Sequence, residues 1–99
     1  MWTYSETISN EVELMDKEKI FAKLKEDFKE EINDFYGYLE MSEEAEKAHM
    51  DQGYHVLKDM AKEEYIHAKH LKNILSGHGY WTDEFQTNWN EAEMKYAMI

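Results

Sequence analysis

Glu31 and Glu64 each place a carboxylate on the apolar seam of a helical pattern. In the first half of the chain, Phe21, Leu24, Phe28, Glu31, Phe35, Tyr38, Ser42 and Ala45 recur at alternating spacings of three and four. In the second half, Tyr54, Leu57, Ala61, Glu64, Ala68, Leu71 and Leu75 do the same. That spacing is one face of an α-helix. A carboxylate buried there without a partner is destabilising by several kcal/mol or more. His67 follows Glu64 by three residues, so its imidazole borders the same face. Two inward carboxylates beside an inward imidazole are the donor types of a metal site.

The elements that must position these groups follow from the same pattern. Residues 1–15 mix Trp2, Tyr4, Ile8, Val12 and Leu14 with polar residues, and an irregular N-terminal arm is expected there. Asp16 is the expected N-cap of a long helix from Lys17 to Lys47, roughly 30 residues or about 45 Å. Gly37 interrupts that helix at a cost of about 1 kcal/mol relative to Ala, which suggests a close approach by another backbone or a ligand. The turn is expected at Ala48-His49-Met50-Asp51, with Asp51 capping a second helix over Gln52–Leu75. Ser76-Gly77-His78-Gly79 is a stop signal. Thr82 is the expected N-cap of a third helix, Asp83–Ala97, with Phe85, Trp89, Ala92 and Tyr96 as its apolar stripe. The division is therefore an arm over 1–15, a helical hairpin over 16–76 and a C-terminal helix within 80–99.

Composition agrees with an all-α chain and limits its partners. The 99 residues include no Pro and four Gly, enough for one small domain. The formal net charge of -11 argues against nucleic acid and against anionic membrane surfaces. The absence of Cys excludes disulfides, thiolate zinc sites and iron–sulfur clusters. No apolar run approaches the ~18 residues of a membrane helix, and no signal-peptide pattern opens the chain, so a cytoplasmic protein is the expectation.

An αα-hairpin leaves one apolar face open, and two hairpins facing each other complete a four-helix bundle. A homodimer is therefore expected. Glu31 lies 18 residues before His49 and Glu64 lies 15 after it, so the two carboxylates fall at about the same height. A two-fold dimer would gather two copies each of Glu31, Glu64 and His67. One Glu from each of two helices, with Glu-x-x-His from each of the other two, is the ligand pattern of di-iron and di-manganese carboxylate bundles.

On these residues the chain resembles the ferritin-like superfamily, in particular its rubrerythrin branch. The likeness covers about residues 20–75. It is carried by Glu31, by Tyr38 seven positions later, and by Met60-Ala61-Lys62-Glu63-Glu64-Tyr65-Ile66-His67-Ala68. Only one helix pair is present, so the chain resembles a half-length member, and the two-helix encapsulated ferritins are a similar case. The resemblance implies that Glu64 bridges two metals, that Glu31 is a terminal ligand and that His67 supplies one nitrogen. It implies that Tyr38 sits beside the site as a hydrogen-bond or electron donor. It also implies Fe(II) oxidation by oxygen or peroxide, with Mn as the other metal that suits these donors. Storage of the product would call for a ring of dimers or an encapsulating shell protein. Rubrerythrins often carry a cysteine-ligated module, which this chain lacks, so a reductant must come from outside. The competing expectations are a peroxide reductase with an external donor and a metal-free helical interaction module.

Other residues have plainer expectations. Glu63 falls on the flank of its helix. His55 and His70 face outward, although His67 and His70 could hold a second surface ion. His49 and His78 are loop residues. Glu43-Glu44-Ala45-Glu46 is a solvated run. The third helix and the N-terminal arm, both rich in Trp and Tyr, are expected to cover the bundle or to link dimers into larger rings, with Trp81, Phe85, Trp89 and Tyr96 making contacts between subunits.

Overall fold

The computed structural model describes the backbone of residues 2–99 and the side chains of residues 16–99. Among the described residues the protein is all-helical, with three helices and no strand. These are α1 (Trp2–Lys47), α2 (Asp51–Gly77) and α3 (Asp83–Ala97). None is long and apolar enough to cross a membrane.

α1 starts fifteen residues earlier than the sequence suggests, at Trp2 instead of Lys17. Asp16 is therefore an interior helical residue and caps nothing. No Pro or Gly interrupts residues 2–16, so nothing in the backbone chemistry stops the helix from running back. The side chains of Trp2, Tyr4, Ile8, Val12 and Leu14 lie outside the described residues. At the other end the helix stops at Lys47, as its pattern predicts.

The two turns use one solution. After α1, the Met50 amide donates to the Ala45 carbonyl at 2.9 Å, with His49 in the left-handed region at φ 58°. After α2, the Tyr80 amide donates to the Leu75 carbonyl at 2.8 Å, with Gly79 at φ 78°. Each closes off carbonyls that the last turn of a helix leaves free. Glycine meets this backbone demand readily, whereas His49 holds it against the steric preference of an L-residue.

Asp51 does not cap α2. It is the first helical residue, and the Met50 before it makes no side-chain cap. Its carboxylate instead lies in the first turn, where the helix dipole favours negative charge. Thr82 does cap α3: its hydroxyl accepts from the Phe85 amide at 3.2 Å.

α1 and α2 pack along their lengths as a hairpin. Phe21, Phe28, Ile32, Phe35 and Leu39 of α1 share one core with Ala61, Tyr65, Ala68 and Leu75 of α2. Bulky rings on one helix opposite alanines on the other let the two approach closely. Ile32, Leu39 and Tyr65 lie outside the expected stripes. Each follows a seam position by one residue, about 100° around its helix. They are buried because α3 folds back over that side of the hairpin.

α3 contributes Phe85, Trp89 and Ala92 to the same core. Phe28 is its main anchor, with ring centroids 5.4 Å from Phe85 and 5.1 Å from Trp81, both edge-on. Of the C-terminal aromatics, Phe85 and Trp89 are buried within the protomer and not at a subunit surface, while Trp81 and Tyr96 are partly buried against the same core, so α3 covers its own hairpin. At Gly37 a Cβ would meet nothing within 4 Å inside the protomer. No described backbone approaches it.

Candidate metal centre

Glu31 and Glu64 face each other from the two helices of the hairpin, and His67 joins them from one turn further along α2. The residue after each carboxylate belongs to the α3 side. Ile32 lines the cleft between α1 and α3 with Glu84 and Glu91, and Tyr65 stacks on Trp89. The carboxylates are rotated about 100° away, toward the side of the hairpin that α3 leaves uncovered.

His67 Nδ1 lies 3.6 Å from Glu31 Oε2 and 3.7 Å from Glu64 Oε1. One ligand atom from each of the three residues falls within 4.8 Å of the other two. Around an octahedral ion with ligands ~2.1 Å away, neighbouring ligand atoms lie ~3.0 Å apart and opposite ones ~4.2 Å. The observed separations therefore require only a small contraction to surround one cation.

Glu31 is the anomalous member. Its side chain is 25 % exposed, yet Oε2 is sealed from solvent and has no hydrogen-bond partner. Burial raises its pKa from 4.5 to about 8; a hydrogen bond that the protonated Glu31 carboxyl can give to Glu64 adds to the shift, followed by the charges of Glu64, Asp34 and Asp27. A buried acceptor normally finds a donor; the ionised Glu31 Oε2 has none within hydrogen-bonding distance, with the His67 imidazole at 3.6 Å and the Glu64 carboxylate beside it. Glu64 is 18 % exposed and His67 54 %, so the imidazole forms the open side of the group.

No protein-family model, curated protein or solved structure matches this chain.

Glu63 is exposed, as are His55, His70, His49 and His78, and none of them joins the cluster. The Glu31, Glu64 and His67 group is the one set of three His or acidic residues among the described residues placed to hold an ion. Tyr38 is partly buried against the core two turns after Glu31. Glu43, Glu44 and Glu46 are exposed, and Glu43 and Glu44 pair with Lys95 at 3.8 Å and Lys47 at 3.6 Å. Asp27 and Asp34 were not singled out by the sequence pattern. They lie four residues before and three after Glu31, which places them beside it on the helix, and both bear on its proton.

Proposed function

We propose that the protein binds ferrous iron at Glu31, Glu64 and His67 and oxidises it with oxygen or peroxide. Glu31 Oε2, buried without a partner beside a second carboxylate and an imidazole, is the observation that carries this reading. A divalent cation would relieve the repulsion between the carboxylates and satisfy the orphaned oxygen. Imidazole with carboxylates suits iron and manganese, and no thiolate is present to favour zinc or an iron–sulfur cluster.

One protomer supplies three ligand atoms, fewer than two octahedral ions require. A second copy of the chain is the partner that doubles the set. The uncovered side of the hairpin supports that pairing. Ile20 and Tyr38 lie near the Glu31 direction of α1, and Val56 and Ile74 flank the His67 side of α2. Ile20, Val56 and Ile74 are exposed apolar residues among the described residues. In the dimer the four helices of two hairpins form a ferritin-like bundle, with α3 on its outside. Four carboxylates then balance two divalent cations.

The residues bind and position while iron, as substrate, supplies the redox chemistry. Two ferrous ions give one electron each to peroxide, which takes two protons and leaves as two waters. Glu31 and Glu64 supply the charge that holds the trivalent product. Tyr38 is assigned to the surroundings of the site as a hydrogen-bond donor. The ferric product calls for storage in a ring of dimers or in a shell of another protein, in a cytoplasmic setting.

Native mass spectrometry during an anaerobic Fe(II) titration tests the proposal. Even-numbered oligomers that saturate at two irons per dimer are expected, with oxygen consumed on aeration. A protein that ignores Fe(II) and Mn(II) overturns the metal reading and leaves a helical interaction module. A dimer that binds iron but consumes peroxide catalytically only with an added reductant identifies a peroxide reductase.

A further inference from the structure

We infer that the cleft between α1 and α3 binds a linear aliphatic polyamine, with terminal ammonium groups at Glu84 and Glu91 and the methylene chain on Phe28 and Ile32. The inference is independent of the metal reading, because the cleft lies on the α3 side of the hairpin.

The cleft has a volume of about 300 Å³, the lower end of the range for small-molecule pockets. Buried Phe28 and Ile32 form its apolar floor. α3 runs in the same direction as α1, since Phe28 meets Phe85 and, further along both helices, Glu43 meets Lys95. The polar walls therefore pair off in order. Lys29 and Glu84 stand at one end, Asn33 and Asn88 in the middle, and Tyr36 and Glu91 at the other end.

These six side chains do not satisfy one another. Among the described residues none of them makes a side-chain hydrogen bond or an ion pair. Their neighbours on α3 differ. Gln86 accepts from the Trp81 indole and donates to Asn90, Thr87 donates to the Asp83 carbonyl, and Lys95 pairs with Glu43. Lys29 is drawn over the Phe85 ring, its Nζ 5.6 Å from the centroid, and leaves Glu84 without a counter-ion. Asn88 and Tyr36 are half-buried. Polar groups that converge on an apolar floor are the form of a ligand pocket.

The arrangement selects the class of ligand. Two carboxylates against one ammonium make the cleft anionic, and the net charge of -11 draws cations toward the chain. No third acidic or imidazole group joins Glu84 and Glu91 to hold a metal ion among the described residues. The two carboxylates are seven residues apart, about 10.5 Å along α3, which is close to the span of an extended triamine. An ammonium at each carboxylate makes charge-assisted hydrogen bonds. The side-chain carbonyls of Asn33 and Asn88 accept from the secondary amine between them. Burial, with Glu91 beside it, raises the pKa of the Tyr36 phenol, so a neutral hydroxyl oxygen adds an acceptor at the Glu91 end. Lys29 is the one wall group that opposes a cation, and it does so at the Glu84 end.

The test is isothermal titration calorimetry of spermidine, as the probe triamine, into the metal-free full-length protein at physiological ionic strength. One spermidine per protomer is expected. It should bind about ten-fold more tightly than putrescine, whose shorter chain forgoes one charge-assisted contact. Glu91→Gln should weaken binding about ten-fold, whereas Glu93→Gln, the same charge change on the same helix outside the cleft, should leave it unchanged. Asn88→Ala should weaken binding about three-fold with no change of charge. Lys29→Met should tighten it, a gain that a misfolded variant could not produce. Equal losses in Glu91→Gln and Glu93→Gln, or a stoichiometry that keeps rising with spermidine, identify diffuse counter-ion binding and overturn the site. Binding lost in Glu31→Gln but retained in Glu91→Gln moves the polyamine to the other side of the hairpin and also overturns it. Absence of binding to the wild type overturns it outright.

Discussion

Glu31 Oε2 lies 3.6 Å from His67 Nδ1, sealed from solvent and without a hydrogen bond. The pair joins the two long helices at one level of the hairpin. A neutral Glu31 can tolerate this environment, and a charged one requires a cation.

Removing the charge should therefore separate stability from binding. Glu31→Gln keeps the shape and eliminates the buried charge. In the metal-free protein at pH 9 it should raise stability by ~1 kcal/mol, because an unsatisfied ionised group is lost. The same variant should lose the stabilisation by Fe(II) or Mn(II) expected of wild type, which is about 2.7 kcal/mol at a hundred times the dissociation constant. Urea unfolding with and without metal measures both effects. A variant less stable than wild type without metal would contradict the assignment of Glu31 as a strained acid.

The pH dependence has a definite sign. The folded-state pKa of Glu31 is raised from 4.5 to about 8. Between those values the native state holds a proton that the unfolded state has released. Stability of the metal-free protein should therefore fall as pH rises from about 5 to about 8, and the Glu31 contribution should level off above that. The wild-type slope minus the Glu31→Gln slope isolates this residue. Metal binding should weaken over the same interval as pH falls, because the proton and the cation compete for one carboxylate.

Phe28 is the anchor between α3 and the hairpin. It is fully buried and touches the rings of Trp81, Phe85 and Trp89. Phe28→Ala should cost about 3–5 kcal/mol. Near-ultraviolet circular dichroism should lose the Trp signal before far-ultraviolet helicity falls, since α3 would detach while α1 and α2 stay paired.

His49 holds a left-handed backbone that glycine adopts freely, at φ 58°. His49→Gly should stabilise the protein by ~1 kcal/mol, less the entropy gained by a more flexible unfolded chain. A change in thermal midpoint reads it directly. Iron uptake should be unaffected, because the turn lies four helical turns from Glu64.

Gly37 offers the opposite test. Open space surrounds it, so Gly37→Ala should stabilise α1 by ~0.5–1 kcal/mol. Destabilisation, or loss of the dimer in native mass spectrometry, would mean that a second copy packs against this position.

The helices, the stop after α2, the Thr82 cap and the seam carrying Glu31 and Glu64 were legible in the chain because each is a local matter. Periodicity, glycine and capping chemistry act over a few residues, and a three-residue offset from Glu64 to His67 is set by helix geometry alone. The N-terminal extension of α1 was not legible, since a weak apolar pattern without Pro or Gly neither demands a helix nor forbids one. The place of α3 was decided by tertiary packing. Its aromatic stripe is the same whether it meets another subunit or folds back, and only the short connection through Gly79 and the Phe28 ring bring it home. That return buried Ile32, Leu39 and Tyr65, and left the other side of the hairpin uncovered. The isolation of Glu31 Oε2 is likewise a tertiary fact: its burial depends on which residues of the facing helix lie opposite, and no spacing within one helix states that.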